Sequence, residues 1–167
     1  MTSEVQTQRS RTITWEDPTA TVQLGRTMSG LEYIKAIQSR EVPPPPIAVL
    51  LGMDISEVAE GRVVFVLEAA EYHYNPLGTV HGGVMATLLD SAMGCAVQTT
   101  LPAGTSYTTL ELKVNYLRPV TSKTGKVYCE GKIIYVGGRI ATAEGRLTDA
   151  DGKLYAHGTT TCIVLRP

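Results

Sequence analysis

The sequence predicts an α+β fold in which one long apolar helix is buried by a curved antiparallel sheet. Three observations carry that expectation. Residues 84–98 are apolar around most of a helical circumference. Residues 108–117 alternate apolar and polar with the period of a strand. Beyond them, three strand-like stretches are separated by Gly137-Gly138 and Asp151-Gly152, pairs suited to tight hairpin turns. A helix with so little polar face must be covered, and a sheet that curls around it provides the cover.

Residues 1–26 are polar, with Trp15 as their one large aromatic, and are expected to form a loosely ordered arm. Such an arm either stays loose or docks back through Trp15. Residues 27–167 form a single domain, long enough to bury a proper core. Ser29-Gly30-Leu31-Glu32 fits a capping box, and Leu31, Tyr33, Ile34 and Ile37 continue a helix to about Arg40. Pro43 to Pro46 end that helix and make a rigid extended connector. Ile47 to Met53 is short and apolar, and Arg62 to Glu68 (RVVFVLE) reads as a strand.

The stretch from Asn75 to Gln98 organises the rest. Turn formers and glycines (NPLGTVHGG) precede a run free of Gly and Pro from Val84 to Met93, so a helix starts near Gly83. Val84, Met85, Leu88, Leu89, Ala92, Met93 and Ala96 are its apolar residues. Thr87, Asp90, Ser91, Gly94 and Gln98 form a narrow stripe of polar or small residues, with one carboxylate in its middle. In the strand that follows, Leu110, Leu112, Val114 and Tyr116 alternate with Thr109, Glu111, Lys113 and Asn115, which predicts one buried and one polar face. Residues 126–136, 139–148 and 153–165 are three further strands. The expected order is one strand, the helix, then four consecutive antiparallel strands in a meander, with an edge or face open to a second copy.

Composition narrows the function classes. A net charge of −1 with 19% charged residues gives no basic footprint for nucleic acid. The three cysteines (Cys95, Cys129, Cys162) lack CxxC spacing and sit in apolar stretches, as buried thiols of a reducing compartment do. Three histidines without paired spacing point away from a metal site. No basic-then-apolar leader and no membrane-length apolar run occurs. The expectation is a soluble, cytoplasmic protein without nucleic-acid or membrane partners.

Asn75-Pro-Leu-Gly-Thr-Val-His-Gly-Gly83 before the helix, Leu88-Leu-Asp-Ser91 inside it, Glu111 to Pro119 (ELKVNYLRP) and Asp151 to Gly158 (DGKLYAHG) together resemble the hotdog-fold acyl-CoA thioesterases. Within them the chain is most similar to the phenylacetyl-CoA (PaaI-like) branch and its mammalian relatives. The resemblance spans about residues 47–164. It implies hydrolysis of an acyl-CoA thioester without a separate cofactor, coenzyme A being part of the substrate. It also implies homodimers or dimers of dimers, with each site assembled from two subunits. Residue by residue, Asp90 matches the carboxylate that activates water or attacks the carbonyl. Gly82 matches the residue whose backbone N–H polarises that carbonyl, and Asn75 the position that helps hold the water or thioester. Thr109 matches a Ser/Thr that steadies the carboxylate or water, and His81 a motif position that orients the loop and polarises.

Elementary chemistry agrees with these roles. Thioester hydrolysis develops negative charge on the carbonyl oxygen and calls for preorganised donors. Gly82 and Gly83 sit at a helix N-terminus, where N–H groups and the dipole favour an anion. A carboxylate in apolar surroundings loses solvation and becomes a better base. Val84 and Leu88 are candidates to line an acyl slot, and Arg118 and Arg139 are candidates for the phosphates of coenzyme A. Two other readings stay open: a non-catalytic acyl-CoA-binding or sensor protein, and a hotdog enoyl-CoA hydratase or dehydratase. The latter needs an acid–base pair, and His73-Tyr74 stands where its acidic residue is expected.

Overall fold

Ser29 caps a helix as its sequence predicts: its side chain accepts from Glu32 N–H, and Glu32 returns a bond to the Ser29 amide. The computed structural model describes residues 8–166, so the first seven residues of the N-terminal arm lie outside the described residues. The element order is α1 (Pro18–Gly25), α2 (Gly30–Gln38), α3 (Pro46–Leu51), β1 (Met53–Ala59), β2 (Arg62–Glu68), α4 (Gly82–Gln98), β3 (Ser106–Tyr116), β4 (Lys126–Val136), β5 (Ile140–Asp149) and β6 (Leu154–Leu165). The six strands form one antiparallel sheet in the order β1-β2-β4-β5-β6-β3. This is the hotdog architecture, a curved sheet around the central helix α4.

Helix α4 spans 17 residues, or about 25 Å, and packs against β2, β3, β4, β5 and β6. Leu88, Leu89, Ala92, Met93, Ala96 and Val97 are all but inaccessible, against Val63, Leu67, Val127, Cys129, Ala143, Leu147 and Ala156 of the sheet. Burying each of the larger side chains contributes about 1.5–3 kcal/mol relative to exposure. The helix comes so near the sheet that a Cβ on Gly131 of β4 would lie 2.2 Å from the Ala92 backbone. Cys95, Cys129 and Cys162 are free thiols. Among the described residues no helix is long and apolar enough to cross a membrane.

Three details differ from the sequence expectation. Two strands precede α4, because Met53–Ala59 pairs with β2 although its composition is half polar. Only β4, β5 and β6 make a meander; β3 crosses to the far edge and pairs with β6. Residues 117–125 are too many for a hairpin turn, and they carry the chain across. Finally, β3 does not alternate strictly. Thr109 pairs with Cys162 but Glu111 pairs with Thr161, so Leu110 is an extra residue in a bulge. Leu110 is 58% exposed rather than buried, and the faces of β3 exchange at that point.

In the N-terminal stretch, Asp17 caps α1 and Pro18 opens it. Trp15 is exposed. Two arginines attach this stretch to the domain: Arg9 pairs with Glu71 at 2.6 Å, and Arg11 donates to the Leu50 and Val49 carbonyls at 2.9 and 3.2 Å and lies over the Tyr72 ring.

Candidate active site

The turn before α4 is built by its own side chains. Asn75 Oδ1 accepts from Leu77 N–H at 2.9 Å and Thr79 N–H at 3.3 Å, and the Asn75 and Thr79 backbones are also bonded. Two backbone donors identify that atom as the oxygen, so the Asn75 amide nitrogen is directed away from the turn with its hydrogens available. His81 is the N-cap of α4: its Nδ1 accepts from Gly83 N–H at 2.8 Å. Of the two glycine amides expected to face an anion, Gly83 therefore has a partner. Gly82 N–H has no acceptor among the described residues. Asn75, Gly82, Met85, Tyr116 and Arg118 line one open depression of about 360 Å³.

Asp90 lies two turns further along the same helix. Thr109 Oγ1 of β3 donates to Asp90 Oδ1 at 2.9 Å, which leaves Oδ2 without a donor among the described residues. The groups packed nearby are Cys95, Cys162 and Tyr107. All three are raised above their ordinary pKa ranges, by burial first and by Asp90 among the lesser causes. The sequence does not signal any of the three as a site residue. Among the described residues no group of three or more His, Cys, Asp or Glu is placed to hold a metal ion.

The expected site residues thus fall into two clusters in one chain. Asn75, His81, Gly82 and Arg118 gather at one end of α4; Asp90 and Thr109 lie at another level. Eight residues of helix separate Gly82 from Asp90, a rise of about 12 Å. On the sheet, Thr109 stands in a row with Cys162 and Ala141, whereas Tyr116 stands in a row with Ala156 and Leu147. Those rows are roughly 20 Å apart along β3. Arg139 is exposed and, two residues before Ala141, stands at the Thr109 end of the sheet, whereas Arg118 lines the depression with Gly82 and donates to the Leu154 carbonyl. Val84 is half-buried, and Leu88 is enclosed in the core. The alternation of β3 makes Tyr116 an apolar strand residue. Its hydroxyl instead bonds to Gly82, a role that the NYLRP spacing alone does not signal.

The sequence profile of the Thioesterase superfamily matches residues 77–156, a span that holds Gly82, Asp90, Thr109 and Tyr116. Acyl-coenzyme A thioesterase 13 from Homo sapiens is 31% identical over 71 residues, 42% of this chain and 50% of that one. The chain spans about half the length of the curated relatives it matches. Among solved structures, a phenylacetic acid degradation-related protein from Ralstonia eutropha JMP134 is 32% identical, with a TM-score of 0.71 over 78% of this chain and 98% of that one. A thioesterase from Haemophilus influenzae is 26% identical, with a TM-score of 0.70 over 81% of this chain and 90% of that one.

Proposed function

The chain belongs to the thioesterase superfamily, and we propose that it hydrolyses an acyl-CoA thioester to the free acid and coenzyme A. In this reading Gly82 N–H and the Asn75 amide nitrogen receive the thioester carbonyl oxygen. Asp90, held at Oδ1 by Thr109, directs a water at the carbonyl carbon through its free oxygen, or attacks that carbon itself. In the first route the water oxygen bonds to the acyl carbon as Asp90 takes its proton, the C–S bond breaks, and the thiolate leaves and takes up a proton. In the second, Asp90 displaces the thiolate to form an anhydride, which water then cleaves to the free acid. The observation that carries the reading is the pairing of donors without acceptors, in one depression, with a strand-anchored carboxylate on the same helix.

A helix rise of about 12 Å is too long for both parts to act on one carbonyl within a chain. Two α4 helices side by side and antiparallel across a two-fold axis would bring Gly82 of one chain to Asp90 of the other. Asn75 and Gly82 of one subunit would then share a site with Asp90 and Thr109 of the second. The same arrangement would bring Arg139 of the carboxylate-bearing chain toward the end where Arg118 of the other chain lies. No cofactor takes part in this chemistry, and a soluble cytoplasmic setting suits a coenzyme A substrate.

The test is release of free thiol from a panel of aromatic and medium-chain acyl-CoA substrates, followed with a thiol reagent. Turnover of at least one is expected. Binding of acyl-CoA without thiol release would favour the sensor reading, and addition of water to an enoyl-CoA would favour the hydratase.

A further inference from the structure

Of the four polar atoms in the two peptide groups flanking Gly82, three have partners and the fourth is the Gly82 N–H. The His81 carbonyl accepts from Val84 N–H at 2.9 Å. Gly83 N–H donates to His81 Nδ1 at 2.8 Å. The Gly82 carbonyl accepts from Tyr116 Oη at 3.0 Å, a bond from the sheet to the helix. The Tyr116 ring also covers this glycine, since a Cβ built there would stand 3.3 Å from Tyr116 Cζ. Glycine has the widest backbone freedom of any residue, so an amide donor on glycine is well aimed only when its neighbours are held.

Tyr116 reaches Gly82 because of the bulge at Leu110. Thr109 and Tyr116 both bond to α4, yet they are seven residues apart, an odd number that puts side chains on opposite faces of a regular strand. The extra residue between Thr109 and Glu111 exchanges the faces. One strand therefore presents a partner to Asp90 before the bulge and a partner to Gly82 after it.

We propose that Tyr116 is a positioning residue that aims the Gly82 amide by clamping the Gly82–Gly83 peptide from the carbonyl side while His81 holds its N–H. The inference rests on the thioesterase reading for its kinetic consequence and on the hydrogen bonds alone for its structural one. It is tested with Tyr116→Phe, which keeps the ring over Gly82 and removes only the donated bond. Because the amide matters most when negative charge develops on the carbonyl oxygen, kcat should fall about tenfold or more with KM within about twofold of wild type. Amide exchange measured by NMR should quicken at Gly83 and Val84 and stay unchanged in the sheet. Unchanged kcat and exchange in the folded variant would overturn the clamp. So would a fall in kcat with unchanged exchange at Gly83 and Val84, which would make Tyr116 a substrate contact, or quickened exchange throughout, which would make its role general stability. The exchange measurement needs no substrate. If the wild type cleaves no acyl-CoA, the functional reading fails by itself and the clamp is decided by exchange.

Discussion

The Thr109 hydroxyl donates to Asp90 Oδ1 at 2.9 Å and ties the edge strand β3 to the middle of the central helix. One carboxylate oxygen is thereby held, and the other has no donor among the described residues. Asp90→Asn keeps an oxygen for Thr109 to donate to, so the fold should survive. Loss of the basic oxygen should lower kcat by at least about a hundredfold. Thiol release and circular dichroism on the same preparation check this, and near-normal turnover would remove Asp90 from the mechanism.

Close approach of helix and sheet predicts a stability effect at Gly131. A methyl group there would meet the Ala92 carbonyl carbon and oxygen at 2.2 Å, and Met93 N at 2.5 Å. All three are backbone atoms that no rotamer change can move. Gly131→Ala should therefore destabilise the protein by about 1–3 kcal/mol or more. At Gly138 an added methyl group would meet nothing within 4 Å, so Gly138→Ala is the control and should be nearly neutral. Urea unfolding of both variants makes the comparison.

His73 predicts a pH dependence of stability. It is 4% exposed; its Nδ1 accepts from Ala70 N–H, and its Nε2–H donates to the Leu51 carbonyl at 2.8 Å. Burial, with a lesser contribution from the Arg11 cation, lowers its pKa below the ordinary value of about 6.5, against the opposing effect of the Leu51 bond. As pH falls below about 6.5 the unfolded chain takes up a proton before the folded one does, so stability is lost. The contribution is complete above that value and declines until the lowered folded-state pKa is reached. In thermal unfolding between neutral and mildly acid pH, wild type should lose more stability than His73→Gln. Equal losses would assign the acid sensitivity to other groups.

How much of this is legible in the sequence depends on the range of the interaction. The α2 capping box is local, and Ser29-x-x-Glu32 announces it. The His81 cap of α4 is equally local, but histidine is not a usual capping residue, so His81-Gly82-Gly83 marks only the turn before the helix. The face that α4 buries follows from its own apolar spacing. The Leu110 bulge is not announced, because the alternation from Leu110 to Tyr116 is regular and no glycine marks the slip. It arises from pairing with β6, some fifty residues away. The bond from Tyr116 to Gly82 depends on that bulge, so it is equally hidden. The crossing of β3 to the far edge does leave a trace in the length of residues 117–125 and in Pro119, which does not suit a tight hairpin.

Gly82 and Asp90 are separated by about 12 Å of helix rise, and Thr109 and Tyr116 by roughly 20 Å of strand. A site shared between two chains would bring the parts together, and complementation tests it. Asp90→Ala and Asn75→Ala should each be inactive alone. In a mixed dimer, one site combines both defects and the other combines the intact Asp90 of one chain with the intact Asn75 of its partner. Random mixing makes about half of the dimers mixed, each with one of its two sites intact, so co-refolded variants should recover roughly a quarter of wild-type activity. A site made within one chain would leave every site in the mixture damaged. Mixed dimers demonstrated by mass, with no activity recovered, would refute the shared arrangement while leaving the assignment of Asp90 to its own test.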